Sequence, residues 1–271
     1  MNDLKKIASE IRGRIIATSH NTRTPHLGSC LSCTDILVAA YFDTLKIDPT
    51  KPTDPNRDRF ILSKGHGAAA LFQVLGMRGF YSEGMLESYG EDGGLFAEHP
   101  PTPEHLPGIE AATGSLGHGL SIGLGMALAG RIKGQIYDVT VLLGDGECNE
   151  GSVWEAAMMA PIQKVGNLLA IVDFNKWQGT GRSEEVMELG PLVDKWRAFG
   201  WEACEIDGHD MGALRGVLGQ PRTLIGKPQA VVAHTVKGKG ISFMEDDNNW
   251  HYRIPDADEL AAAYRELGLK L

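Results

Sequence analysis

Five short runs of apolar, largely β-branched residues recur along the chain with helical patterns between them. That alternation constrains the fold more than any other feature. The runs fall at 59–62 (RFIL), 139–143 (VTVLL), 168–173 (LLAIVD), 201–206 (WEACEI) and 229–233 (QAVVA). Helical patterns occupy 32–45, 66–79, 117–133, 150–164, 191–199 and 210–218, with a last one near 256–267. Strands alternating with helices predict parallel βαβ units, and so an α/β fold whose sheet is covered by helices on both faces. A chain of 271 residues, 42% of them hydrophobic, can fill a complete core, and 1–271 reads as a single domain. The proline-rich stretch 97–108 (AEHPPTPEHLPG) is too short for a domain linker and reads as an ordered loop.

Charge and composition narrow the partners. A formal charge of −9 argues against binding nucleic acid or an anionic membrane surface. No stretch approaches the roughly 18 apolar residues that a membrane span needs. The opening MNDLKKIASEIRGRIIATSH alternates charged and apolar residues at helical spacing, unlike a signal peptide. Four cysteines do not look like a disulfide framework in a chain this size. The Cys30 and Cys33 pair has no second C-x-x-C, so it reads as two buried thiols at a helix start and not as a zinc site. A soluble, cytoplasmic protein is expected.

In α/β folds ligands collect outside the carboxyl ends of the strands. The segments that follow those ends here are SKGHG (63–67), GDGECNEG (144–151), NKWQGTG (175–181), DGHD (207–210) and HTVKGKG (234–240). Nearly all combine glycine with His, Asp or Asn, which suits a phosphate and metal site. Asp145 stands between Gly144 and Gly146, where glycine permits a tight turn and close approach of a ligand. Asn175 follows the next strand after 28 intervening residues, room for one helix and one strand. Parallel neighbours would bring Asp145 and Asn175 together as two oxygen ligands for Mg²⁺, with the Trp177 carbonyl as a third.

GDG, 28 residues and then Asn resembles the thiamine diphosphate signature of transketolases and related enzymes. Further segments resemble transketolase in the same order: TPHLGS (24–29), DRFILSKGHGAAALF (58–72), the His-Pro at 99–100, GIEAATGSLGHGL (108–120), EIDGHD and HTVKGKG. The resemblance covers about residues 4–252. It implies the family's diphosphate-binding (PP) domain, with thiamine diphosphate and Mg²⁺ as cofactors. It further implies that Gly114, Leu116 and Gly144 with Gly146 face the cofactor, that His66 and His251 reach its diphosphate, and that His26, His99 and His251 serve the sugar. Glu150 is counted among the cofactor-binding residues and, with Glu155, corresponds to acids near the subunit boundary. His118 replaces the family's usual Gln, and Tyr252 follows His251 where Gly is usual. His105 matches nothing and reads as surface; Trp154, Met158 and Met159 read as core or interface.

The same resemblance implies transfer of a two-carbon glycolaldehyde unit from a ketose or its phosphate to an aldose or its phosphate. It also implies that the pyrimidine-binding domain is absent from 1–271 and comes from a separately encoded C-terminal subunit, with two copies of each chain. A dinucleotide site fails because the glycines of TGSLGHGL run G-x-x-G-x-G. A dehalogenase-type phosphatase fails for want of an early Asp-x-Asp. The α subunit of a thiamine-dependent 2-oxoacid dehydrogenase is the nearest rival, and a non-catalytic cofactor-binding subunit stays open.

Overall fold

A computed structural model describes residues 3–270. Over them lie nine α-helices and five strands. In chain order these are α1 (Leu4–Thr22), α2 (Leu27–Ala39), β1 (Arg59–Leu62), α3 (Ala68–Arg78), α4 (Gly119–Lys133), β2 (Val139–Gly144) and α5 (Gly151–Ile162). There follow β3 (Leu168–Phe174), α6 (Ser183–Val186), α7 (Leu192–Ala198), β4 (Glu202–Asp207), α8 (Met211–Leu218), β5 (Gln229–His234) and α9 (Ala257–Glu266). All five predicted strands form, within one residue of the expected bounds.

The strands form one parallel sheet in the order β1–β2–β3–β5–β4. Its central strands read as continuous apolar runs because both faces are covered. Along β2, Val139, Val141 and Leu143 enter one core while Leu142 enters the other. The first core packs Leu120, Val153 and Trp196, from α4, α5 and α7, against one face. The second packs Ile11, Leu31, Phe72, Leu214 and Leu260, from α1, α2, α3, α8 and α9, against the opposite face. Strand β4 is the exposed edge, which is why its sequence, EACEID, mixes charge with short apolar side chains. No helix is long and apolar enough to cross a membrane among the described residues.

Helix α2 departs most from expectation. It starts at Leu27 and not at 32, and its predicted tail becomes a π turn over Ala40–Thr44. Every residue of α2 is buried, so it has no polar face, and its opening Gly28, Ser29 and Cys30 carry no apolar period to read. Cys30 and Cys33 are indeed buried free thiols in its first turns.

Beneath the carboxyl edge of the sheet, Lys64 and Asp173 form a fully buried ion pair. Lys64 follows β1 and also donates to Ser29 O at 3.0 Å. Asp173, near the end of β3, accepts from Ser32 Oγ at 2.6 Å and from Thr235 Oγ1. Burial by itself would push the Lys64 ammonium down, but the Asp173 carboxylate outweighs it and holds it above its ordinary value. Asp173 is likewise held low against its own burial, by Lys64 and the two hydroxyls. Removing one partner strands a buried charge, so Asp173→Ala is expected to lose about 3–5 kcal/mol of stability. The Lys64→Met/Asp173→Leu double variant should lose less than either single change. Chemical denaturation of the three variants checks this, and a single-variant loss near zero would refute it.

Candidate active site

The turn leaving β2 is built around two carboxylates with opposite jobs. Glu147, in the 3₁₀ turn Gly146–Asn149, points back into the protein. It accepts from Gly117 N at 2.8 Å, Gly144 N at 3.0 Å and Ser63 Oγ, and so ties the turn to β1 and to the approach to α4. Asp145 points the other way. Its oxygens accept from Gly146 N, Lys176 N and Ser183 Oγ, each at 2.8 Å, which fastens the loop after β3 to the turn after β2. Asp145 is buried, yet no cation pairs with it among the described residues. Burial, with the Asp173 charge adding, raises its carboxyl to about 6.

The neighbouring loop supplies oxygens beside that carboxylate. Asn175 directs Nδ2 toward Asp173 Oδ2 at 3.4 Å, which orients the amide. Its Oδ1 accepts only one bond, from Trp177 N at 3.1 Å, and keeps a lone pair. Trp177 pairs with Arg182 in an isolated bridge. The bonds of that bridge run from Ser183 N to Lys176 O and from Gln178 N to Gly181 O, so they leave the Trp177 carbonyl unused. A carboxylate, an amide oxygen and a carbonyl are the donor set of a hard cation that takes its remaining ligands from water and phosphate. No cluster of three His, Cys, Asp or Glu side chains placed to hold a metal occurs among the described residues, consistent with so sparse a set.

Four histidines gather opposite. The His26 ring lies 5.6 Å from His66, 6.3 Å from His99 and 4.8 Å from His251, between centroids. His26 has φ 73°, a left-handed conformation that a non-glycine residue adopts at a cost and that concentrates at functional sites. Its N–H donates to His251 O at 2.8 Å, which holds the strained residue and ties α2 to the 3₁₀ turn Asn248–His251. His251 Nδ1 accepts from Lys237 Nζ at 3.1 Å, so Nε2 carries the proton, facing Gly179. His26 Nδ1 is buried without a partner. Burial first, then the charges of the surrounding histidines and lysines, lowers His26 to about 4 and His251 to about 3. The same causes take His66 well below its ordinary value. These three rings are neutral at physiological pH.

One cavity of about 330 Å³ lies between the histidines and the Asp145 turn, and all twelve residues singled out from the sequence line it. His99 reaches it from the proline-rich loop, where its ring packs against Gly114. Leu116, Gly144 and Gly146 line it as well, and Glu150 stands exposed at the rim as the N-cap residue of α5. His118 caps α4 but is exposed and absent from the lining, and His105 is exposed as expected. Glu155 is exposed on α5. Sequence reasoning missed Ser29, Lys64, Glu147, Gln178 and Gly179, which also line the cavity. A lysine inside SKGHG and a glutamate inside GDGECNE were legible as charges in apolar surroundings. Nothing in the sequence marked Gln178.

The lowered histidines set an acid limit. Above pH 6.5 both folded and unfolded chains carry them neutral. Below it the unfolded chain takes up protons that the folded chain refuses, so stability falls as pH drops from 6.5 toward about 4 for His26 and about 3 for His251. Asp145 opposes this between 3.8 and about 6, where the folded chain is the better proton acceptor. His26→Asn should therefore lose less stability than the unaltered chain between pH 7 and pH 5. Urea midpoints at the two pH values measure it, and equal losses would contradict it.

Residues 4–271 match the family model described as the thiamine diphosphate binding domain of transketolase. The chain is 41% identical over 260 residues, 96% of its length, to a subunit of the apulose-4-phosphate transketolase of Phocaeicola vulgatus, of which it covers 92%. It is 40% identical over 243 residues, 90% of its length, to the 6-deoxy-6-sulfo-D-fructose transketolase subunit SqwG of Clostridium sp., covering 88% of that protein. Among solved structures, the transketolase of Leishmania mexicana superposes with a TM-score of 0.90 at 26% identity over 99% of this chain. The chain spans 42% of that structure's length and 39% of the human transketolase, to which it is 36% identical over 92% of its own. A whole-length family match and relatives of its own size at 40% identity settle the lineage: this chain belongs to the transketolase family and carries its thiamine diphosphate-binding fold.

Proposed function

We propose that this chain is the diphosphate-binding subunit of a two-component transketolase, moving a two-carbon glycolaldehyde unit from a ketose to an aldose with thiamine diphosphate and Mg²⁺. The observation that carries this reading is the cavity itself, where an uncompensated buried carboxylate at Asp145 faces a set of neutral histidines. Both features fit a diphosphate bound through a divalent cation. Thiamine diphosphate, when bound, supplies the nucleophilic carbon that attacks the ketose carbonyl.

The chain's own residues bind, orient and handle protons. Asp145, Asn175 and the Trp177 carbonyl hold Mg²⁺, while backbone of Gly114, Leu116, Gly144 and Gly146 lets the cofactor come close. His66 and the Nε2–H of His251 serve the diphosphate. His26 and His99 meet the sugar, His251 standing beside them. A neutral imidazole both accepts from and donates to a hydroxyl, so it can take a proton from the donor sugar and return it to the product. Glu150 at the rim faces the region a partner would close. The relatives of the same length bear names of ketoses carrying phosphate or sulfonate, which supports an anionic sugar as substrate.

Those relatives are named as subunits, which supports a separately encoded C-terminal chain that supplies the pyrimidine-binding domain. Ile132, Ile136, Met158, Met159 and Ile162, on α4, α5 and just beyond, are exposed apolar side chains of the kind that interfaces cover. Two copies of each chain would follow from the commonest closed symmetry. Transketolase motifs throughout favour this over a 2-oxoacid dehydrogenase α subunit.

Three outcomes test it. Ketol transfer, assayed with several ketose donors, should be absent for this chain alone and appear when the neighbouring gene's product is added; robust turnover by the chain alone would overturn the two-component reading. Turnover absent even with the partner, despite cofactor binding, would make it a non-catalytic subunit. Asp145→Ala should abolish calorimetric binding of thiamine diphosphate with Mg²⁺. His26→Ala and His99→Ala should keep cofactor binding and lose turnover, whereas His66→Ala should raise the cofactor concentration needed; identical cofactor titrations for all three would sink the division of roles.

A further inference from the structure

One residue of the 175–183 loop has no part in the scheme above. Gln178 lies on the cavity wall between the Asp145 turn and His251. Its side chain covers Gly146 so closely that a Cβ there would sit 2.9 Å from Gln178 Cγ and 3.3 Å from Oε1. Glycine at 146 is what allows this packing. The next residue, Gly179, touches His251, where an added Cβ would be 3.4 Å from Nε2. Gln178 therefore spans the space between the carboxylate end of the cavity and the histidine end.

The loop that carries it is braced. Gln178 N donates to Gly181 O at 2.8 Å. Asp246 accepts from Trp177 Nε1 and from both Arg182 terminal nitrogens, each at 2.7 Å. The Arg182 guanidinium stacks 3.8 Å over the Trp177 ring. This clamp fixes the backbone from which the Gln178 side chain leaves.

Its Nε2 is buried and has no acceptor. A buried donor without a partner costs the full desolvation of that group. Of the nearby acceptors, Asp145 already accepts from three donors, and the remaining lone pair of Asn175 Oδ1 is the one assigned above to the cation. A phosphoryl oxygen lying between the Asp145 turn and the His251 Nε2–H would supply the missing acceptor.

We propose that Gln178 is a diphosphate-binding residue, its Nε2 amide donating to a phosphoryl oxygen of thiamine diphosphate. This rests on the cofactor assignment above. Gln178 would add a neutral donor to the site, and Gly146 is small enough for its side chain to lie there.

The test is calorimetric, on the full chain, with two probes in saturating Mg²⁺: thiamine diphosphate, and inorganic pyrophosphate, which has no organic portion. Gln178→Leu removes the donor at similar volume, and Gln178→Glu also places a negative charge there. Affinity for both probes should fall about tenfold in Gln178→Leu and further, toward about 100-fold, in Gln178→Glu, as for a hydrogen bond to a charged group. Ligand-free melting temperatures within a few degrees of the unaltered chain would show that both variants fold. Unchanged affinity in both variants, with Asp145→Ala still abolishing binding, overturns the role of Gln178 and leaves the cofactor assignment standing. A loss for thiamine diphosphate but not pyrophosphate would also overturn it, placing the amide on the organic portion. No binding of either probe to the unaltered chain would overturn both.

Discussion

The buried contact between Lys64 and Asp173 is the constraint on which the rest of the site depends. It joins the end of β1 to the end of β3, and its remaining hydrogen bonds reach Ser29 and Ser32 on α2 and Thr235 after β5. Several segments that contribute proposed ligands leave these points. His66 is two residues past Lys64, Asn175 two past Asp173, and His26 stands at the start of α2. An ion pair sealed from water is weak evidence for net stability, because desolvation offsets most of the attraction. Its value here is geometric: a charge that can be satisfied in only one arrangement fixes four segments relative to one another.

The same pair adds to the electrostatics above it, where burial is the larger cause. The Lys64 ammonium, with Lys237 beyond it, contributes to keeping His26, His66 and His251 neutral. Asp173 spends its charge on Lys64, so it offers none to a metal and instead raises Asp145 through repulsion. The cavity thus holds one carboxylate that lacks a counter-ion and several rings that remain neutral donors and acceptors. Such a site gains by taking up a divalent cation together with an anion, and gains little from either alone. A diphosphate with its metal is a ligand of that kind.

Much of this was legible in the sequence because each layer obeys a simple period. Continuous apolar runs such as VTVLL mark strands covered on both faces, and the glycine-rich segments after them mark the carboxyl edge. From those two facts the five strands and the meeting of Asp145 with Asn175 follow, whereas the histidines were given by the resemblance to transketolase. What stayed hidden had no period. Helix α2 is buried all round, so its start at Leu27 left no amphipathic trace. Lys64 and Asp173 read as ordinary charges because their pairing spans 109 positions of the chain. Gln178 was invisible because its significance is a buried Nε2 donor without an acceptor, which only the packing over Gly146 reveals.

The cavity is finished on one side only. Sheet edge, α2 and the 175–183 loop form a wall held by buried hydrogen bonds, whereas the opposite boundary consists of the 97–108 loop and the exposed Glu150 at the head of α5. From Glu150, α5 runs toward exposed Met158, Met159 and Ile162, with Ile132 on α4 and Ile136 just beyond it also uncovered. The rigid wall suits the end of a ligand that must be gripped in one orientation. The open side suits the end where chemistry occurs and where a second surface must exclude water. A partner seated on the apolar face of α4 and α5 would close that side.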